Sequence, residues 1–169
     1  DVALEPAITY RGPRFQLSNA PIGLAGLHQV ENAAIALALI ESIHRRFPIT
    51  DDAIARGLND TRWPCRLERV LDDPPVYIDV AHNPAGIQRL VEAMPPCIVV
   101  FAASSDKDIG EMLKGLQPIT KKLILTEFDG QRALHVVQLE QIAKAFPHSA
   151  HTSLHEAIAR GFGFSSASC

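Results

Sequence analysis

From Pro75 to Arg160 the chain alternates short apolar, β-branched runs with amphipathic stretches, and this alternation limits its fold more than any other feature. The strand-like runs are PVYIDV (75–80), 97–103, 122–128 and a short one near 149–152. Helical patterns fill 84–94, 107–117, 136–146 and 154–160. Strands linked through helices run parallel, because the helix is the crossover that returns the chain to the same sheet edge. The expectation is a mostly parallel, doubly wound α/β sheet with helices on both faces. LERVL (67–71) and PVYIDV (75–80) can pair as a hairpin around Asp72-Asp73-Pro74, and one antiparallel strand at the sheet edge is compatible with the pattern.

Local stop and start signals agree with this segmentation. Asn83 is a good N-cap with Pro84 at the first helical position, where the missing N–H costs nothing, and Pro95-Pro96 stops the same helix. Ser105 with Asp108, and Ser153 with Glu156, have capping-box spacing. Residues 1 to about 60 read differently: strand-like ITY (8–10) and RFQL (14–17), an Ala- and Leu-rich helix from Asn32 to Ile43 apolar enough for burial on most sides, and a short helix opened by Thr50-Asp51-Asp52 and ended by Gly57. After Gly161 the Gly- and Ser-rich tail FGFSSASC lacks β-branched residues, so the sheet reads as one strand short.

Composition removes several classes of function. With 47% hydrophobic and 21% charged residues over 169 positions the chain is globular rather than disordered. Sixteen basic against 19 acidic residues, with no Lys/Arg stripe, give nucleic-acid binding no support. The longest apolar run falls far short of the ~20 residues that cross a bilayer, and the N-terminus carries no export pattern. Cys65, Cys97 and Cys169 are odd in number and widely spaced, which fits a reducing, cytoplasmic setting.

Asp79 is the residue that the strand pattern does not explain. It stands where the apolar run PVYIDV ends, followed by His82 and Asn83 at the start of a helix. In open α/β sheets ligands bind beyond the carboxyl ends of strands, where helix N-termini suit phosphates and a carboxylate suits ribose hydroxyls. The alternative is local: Asp79 and Asn83 cap the helix and His82 is an ordinary loop histidine. PHSAHTSLH (147–155) spaces three histidines as if for zinc, but a helix starting at Ser153 separates His151 from His155, and no cysteine or second cluster completes four ligands.

Five segments in order, GLHQVENAAIALAL (26–39), WPCRLERV (63–70), YIDVAHNPAG (77–86), ASSDKD (103–108) and LTEFDGQRA (125–133), resemble the folylpolyglutamate synthase/dihydrofolate synthase family of the Mur ligase superfamily. The resemblance runs from about residue 20 to 160. It implies that residues 1–61 are the end of the central ATPase domain and 62–169 a C-terminal Rossmann-like glutamate-ligase domain. It also implies an ATP-dependent carbon–nitrogen ligase of folate biosynthesis and one-carbon metabolism, joining L-glutamate to dihydropteroate or a reduced folate through an acyl phosphate. The expected enzyme is a cytoplasmic monomer that uses ATP and Mg²⁺, and binds neither nucleic acid nor membrane.

Residue by residue, the resemblance makes Asn32 the adenine contact, Arg66 the phosphate contact and the residue on which rate depends most, and Asp79 the ribose contact. His82 falls beside the phosphates or the incoming amino acid, with orienting Asp79 as the alternative, and Lys107 of DKD can meet a carboxylate or phosphate. His28 reads as structural, positioning the loop that presents Asn32. An Asn offers a donor and an acceptor to the adenine edge, and a guanidinium clamps phosphate oxygens bidentately.

Two departures stand out. Cys65 replaces the family's usual Gly before the Arg, and no G-x-x-G-K-[ST] phosphate loop occurs in these 169 residues. The expectation is therefore a portion that closes over ATP and glutamate and is inactive alone, with metal ligands in the absent N-terminal domain and none here. The competing readings are a portion of a peptidoglycan-precursor ligase and a non-catalytic binding or regulatory module.

Overall fold

A computed structural model of the chain describes residues 5–162. The expected shortage of a final strand, and Cys169, lie outside them. The chain divides into two compact units between Val80 and Ala81.

In the first unit, β1 (Ala7–Arg11) and β2 (Gln16–Pro21) form an antiparallel pair, followed by α1 (His28–Ile43), α2 (Asp51–Asp60) and the hairpin β3 (Glu68–Asp72) and β4 (Pro75–Ile78). Its core is Ile8, Phe15, Ala20, Ile22, Ala33, Leu37 and Ile54. The carboxylate of Glu41 on α1 closes the β1–β2 turn: it accepts from Tyr10 Oη, Arg14 N and Phe15 N, each at 3.0 Å. Those backbone bonds hold its carboxyl below the usual glutamate range, against desolvation.

Three details differ from the sequence reading. Helix α1 starts four residues before Asn32, and it is buried on one side only: Ile35 and Leu39 are 61% and 63% exposed, because the described core meets the face carrying Ala33 and Leu37. Gly57 lies inside α2 rather than at its end. Leu58 still packs on the core, and the helix end is closed by Arg62, whose guanidinium donates to the Asn59 and Thr61 carbonyls at 2.8 and 2.9 Å, so one glycine's cost of ~1 kcal/mol is outweighed. Thr50 opens α2 by accepting from Ala53 N, as its position suggests.

The second unit contains α3 (Pro84–Ala93), β5 (Cys97–Phe101), α4 (Ile109–Leu116), β6 (Thr120–Thr126), α5 (Val136–Ile142), β7 (His148–His151) and α6 (Leu154–Gly161). The strands form a parallel sheet in the order β5-β6-β7, with Val100 beside Ile124 and Leu125 beside Ala150. This is the α/β class read from the alternation. One face, through Phe101, Leu123 and Leu125, packs on Ile87 of α3, Met112, Leu113 and Leu116 of α4 and Leu139 of α5. On the other, Gly161 of α6 lies against Val100, Ile124 and Ile98. The hairpin forms as expected, but among the described residues β4 pairs with β3 alone, as a separate two-stranded sheet. Asn83 caps α3 by accepting from Gly86 N at 2.7 Å, and Ser153 caps α6. The cap of α4 is Asp108, not Ser105, so the helix begins two residues later than the pattern suggests.

Candidate functional site

The candidate residues fall in both units. In the first, Asn32 lies on α1, Arg66 on the loop before β3 and Asp79 just after β4. Asn32 sits one turn into α1, exposed, and its Nδ2 donates to Gln29 Oε1 at 2.9 Å, while Gln29 Nε2 lies 2.9 Å from His28 Nε2. His28, Gln29 and Asn32 are thus a hydrogen-bonded row, with Gln29 only 7% exposed. The loop before them needs Gly26, whose φ is +100° and where any Cβ would come within 2.8 Å of the His28 ring. Gln29, the middle of this row, is a residue the sequence reading did not single out; a polar side chain at i−3 from Asn32 was the available signal.

Arg66 is exposed, on a loop held by several backbone hydrogen bonds. Arg66 N donates to Trp63 O at 3.3 Å, closing a turn. Cys65 N donates to Glu68 Oε2 at 2.8 Å, and Cys65 O accepts from Val80 N at 3.0 Å. Leu67 N donates to Asp79 Oδ2 at 2.9 Å. The residues flanking Arg66 are both left-handed, Cys65 at φ 59° and Leu67 at φ 47°. Such φ values are uncommon with a side chain present, and they turn Leu67 inward, where it is 4% exposed and near Gly26, while Arg66 faces solvent. The structure therefore brings Asp79 to the backbone of the Arg66 loop. Neither left-handed residue has a sequence signal beyond the family's glycine at position 65.

In the second unit, His82 is exposed, immediately before the Asn83 cap, and Lys107 follows β5. Lys107 Nζ lies 2.7 Å from Asp106 Oδ2, and this bond is the main reason that the Asp106 carboxyl is held below its ordinary range. The loop is laced to the following one: Ser105 N donates to Arg132 O and Leu134 N to Ala103 O, both at 2.9 Å. Solvent screens an exposed pair of this kind, so an incoming carboxylate or phosphate can take the place of Asp106 at small cost. His148 and His151 project from opposite faces of β7, by their register against Leu123 and Thr126. Among the described residues no three His, Cys, Asp or Glu side chains gather as a metal site. No described helix is long and apolar enough to cross a membrane.

A family model described as the Mur ligase, glutamate ligase domain, matches residues 65–163. The chain is 38% identical over 118 residues to the dihydrofolate synthase/folylpolyglutamate synthase of Bacillus subtilis, a match covering 65% of this chain and 27% of that one. To the folylpolyglutamate synthase of Lacticaseibacillus casei it is 30% identical over 155 residues, covering 88% and 34%. Among solved structures, Mycobacterium tuberculosis folylpolyglutamate synthase complexed with ADP and AMPPCP superposes with a TM-score of 0.78 at 31% identity, over 86% of this chain and 35% of that one. The chain spans about a third of the length of such relatives.

Proposed function

From the premise that this chain belongs to the Mur ligases, through their glutamate ligase domain and in the folylpolyglutamate/dihydrofolate synthase branch, we propose that it is the portion of an ATP-dependent ligase that closes over ATP and incoming glutamate. The complete enzyme transfers the γ-phosphoryl group of ATP to a carboxylate of dihydropteroate or a reduced folate. The glutamate amine then attacks the acyl phosphate, and the tetrahedral intermediate collapses with loss of phosphate and an amine proton. Water reaching the acyl phosphate would hydrolyse it, so closure protects the product-forming step.

The observation that carries this reading is the Arg66 loop: an exposed guanidinium between two left-handed residues, held by four backbone bonds to its own surroundings. A cation carried on a held backbone suits a transferred phosphoryl group, whose oxygens carry the charge of the transition state. In the same reading Asn32 meets adenine with Gln29 fixing its amide, Asp79 meets the ribose, His82 lies towards the phosphates or the amino acid, and Lys107 offers a point charge to a carboxylate. The row from His28 through Gln29 to Asn32 supports the adenine role, since an amide whose Nδ2 already donates to Gln29 presents its oxygen in a set direction. The setting proposed is cytoplasmic.

The test is glutamate-dependent phosphate release from ATP by the longest chain that the gene encodes, with dihydropteroate and tetrahydrofolate offered separately, beside the 169-residue chain. Turnover by the long chain alone is the expected result, and the preferred acceptor names the substrate. No turnover with either acceptor would refute the folate-ligase reading. Arg66→Ala in the long chain should lower turnover by ~10³-fold, the effect of an arginine that stabilises phosphoryl transfer.

A further inference from the structure

Asp79 Oδ2 accepts from the backbone N–H of Leu67, twelve residues upstream, and that N–H belongs to the residue directly after Arg66. One residue beyond Asp79, the Val80 N–H donates to Cys65 O, directly before Arg66. The end of the PVYIDV run therefore grips the Arg66 loop on both sides of the arginine. We propose that Asp79 is a positioning residue for Arg66: its carboxylate holds the left-handed turn at Leu67 that points the guanidinium outward, and its effect on phosphoryl transfer passes through that arginine. The effect on turnover rests on the ligase reading above; the effect on the loop does not.

The chemistry favours this role for three reasons. Leu67 at φ 47° is a strained residue with a buried side chain, and such a conformation persists only where its surroundings over-determine it. A charge-assisted hydrogen bond from the Leu67 N–H to a half-buried carboxylate supplies that constraint, at roughly twice the strength of a neutral one. Leu67 also has no helical or ladder partner for its N–H in the β3–β4 register, which begins at Glu68. A carboxylate has about four acceptor positions, so the bond to Leu67 is compatible with a ribose contact by the same group.

The experiment measures both levels. In the 169-residue chain, the Leu67 amide should exchange with solvent ~10–100-fold faster in Asp79→Ala than in the parent, the factor a lost hydrogen bond to a charged group implies. Asp79→Asn keeps an acceptor oxygen and loses the charge, so it should exchange several-fold faster than the parent and slower than the alanine variant. If the alanine variant does not fold, the asparagine variant decides: Leu67 exchange equal to the parent's overturns the proposal.

In the complete chain, Asp79→Ala should lower kcat, Asp79→Asn should restore most of it, and adding Asp79→Ala to Arg66→Ala should lower kcat no further. A carboxylate acting on ribose alone would instead raise the KM for ATP with kcat unchanged in both variants, and its loss would multiply with that of Arg66; that pattern overturns the proposal. Absence of turnover in the unaltered complete chain would refute the ligase reading, and Leu67 exchange would still decide whether Asp79 holds the loop.

Discussion

The two left-handed residues around Arg66 should respond to glycine differently. At Cys65, φ 59° penalises any Cβ, by about 1–2 kcal/mol relative to glycine. Glycine's greater freedom in the unfolded chain offsets about 0.5–1 kcal/mol of that. The Cys65 side chain is only half-buried, so Cys65→Gly should leave the protein unchanged to about 1 kcal/mol more stable. At Leu67 the same backbone relief applies at φ 47°, but the side chain is 4% exposed. Removing a buried leucine costs about 2–5 kcal/mol, so Leu67→Gly should be a net loss of roughly 1–5 kcal/mol. The gap between the variants is then at least about 2 kcal/mol, or ~4 °C in melting temperature for a chain of this size. Thermal unfolding followed by far-ultraviolet circular dichroism, in one buffer, measures it. A Cys65→Gly protein that melts well below the parent, or a Leu67→Gly protein that melts no lower than Cys65→Gly, would show that the loop is not held as described.

Three further outcomes are expected. Asn83→Ala removes the side chain that caps α3 and should cost ~1 kcal/mol in the same melts, with Asn83→Ser recovering most of it. Glu41 is stabilising while ionised: its contribution is complete above about pH 5, the upper end of ordinary glutamate titration, and is lost as pH falls through its lowered native value. The melting temperatures of the parent and Glu41→Gln should therefore differ at neutral pH and converge in acid; a constant difference would refute the linkage. Gly26→Ala introduces a Cβ at φ +100° against the His28 ring and should destabilise by ~1–2 kcal/mol or more, read as a lower urea midpoint.

Much of the fold is legible because its signals are local. Asn83-Pro84 starts a helix through one side chain and one missing donor, Thr50 does the same for α2, and Asp72-Asp73-Pro74 turns a hairpin, all within four residues. The strand and helix alternation of the second unit is legible for the same reason. Misreadings arise where a distant contact decides. Gly57 stops a helix on propensity alone, but Leu58 and Arg62 beyond it carry the helix through. The apolar excess of α1 reads as burial all round, while the described residues supply a core for one face. At the candidate site, the residue types of Asn32, Arg66 and Asp79 are visible in the motifs, whereas what supports them is not. No periodicity links Asp79 to a backbone N–H twelve positions away, and the left-handed turn at Leu67 has no residue that advertises it.

The short sheet of the second unit also bears on how the protein behaves at concentration. Among the described residues β5 is an outer strand, CIVVF, without a charge or proline, and its Ile98 and Val100 are 45% and 37% exposed. Outer strands usually carry lysines, prolines or bulges that discourage a second chain from adding to the ladder, and β-branched, uncharged runs are the segments that stack. The same five residues that seat the core through Phe101 thus present a template for intermolecular pairing. The expected consequence is colloidal rather than catalytic: light scattering that grows with concentration and is lowered by Ile98→Lys, with equal scattering by parent and variant refuting it.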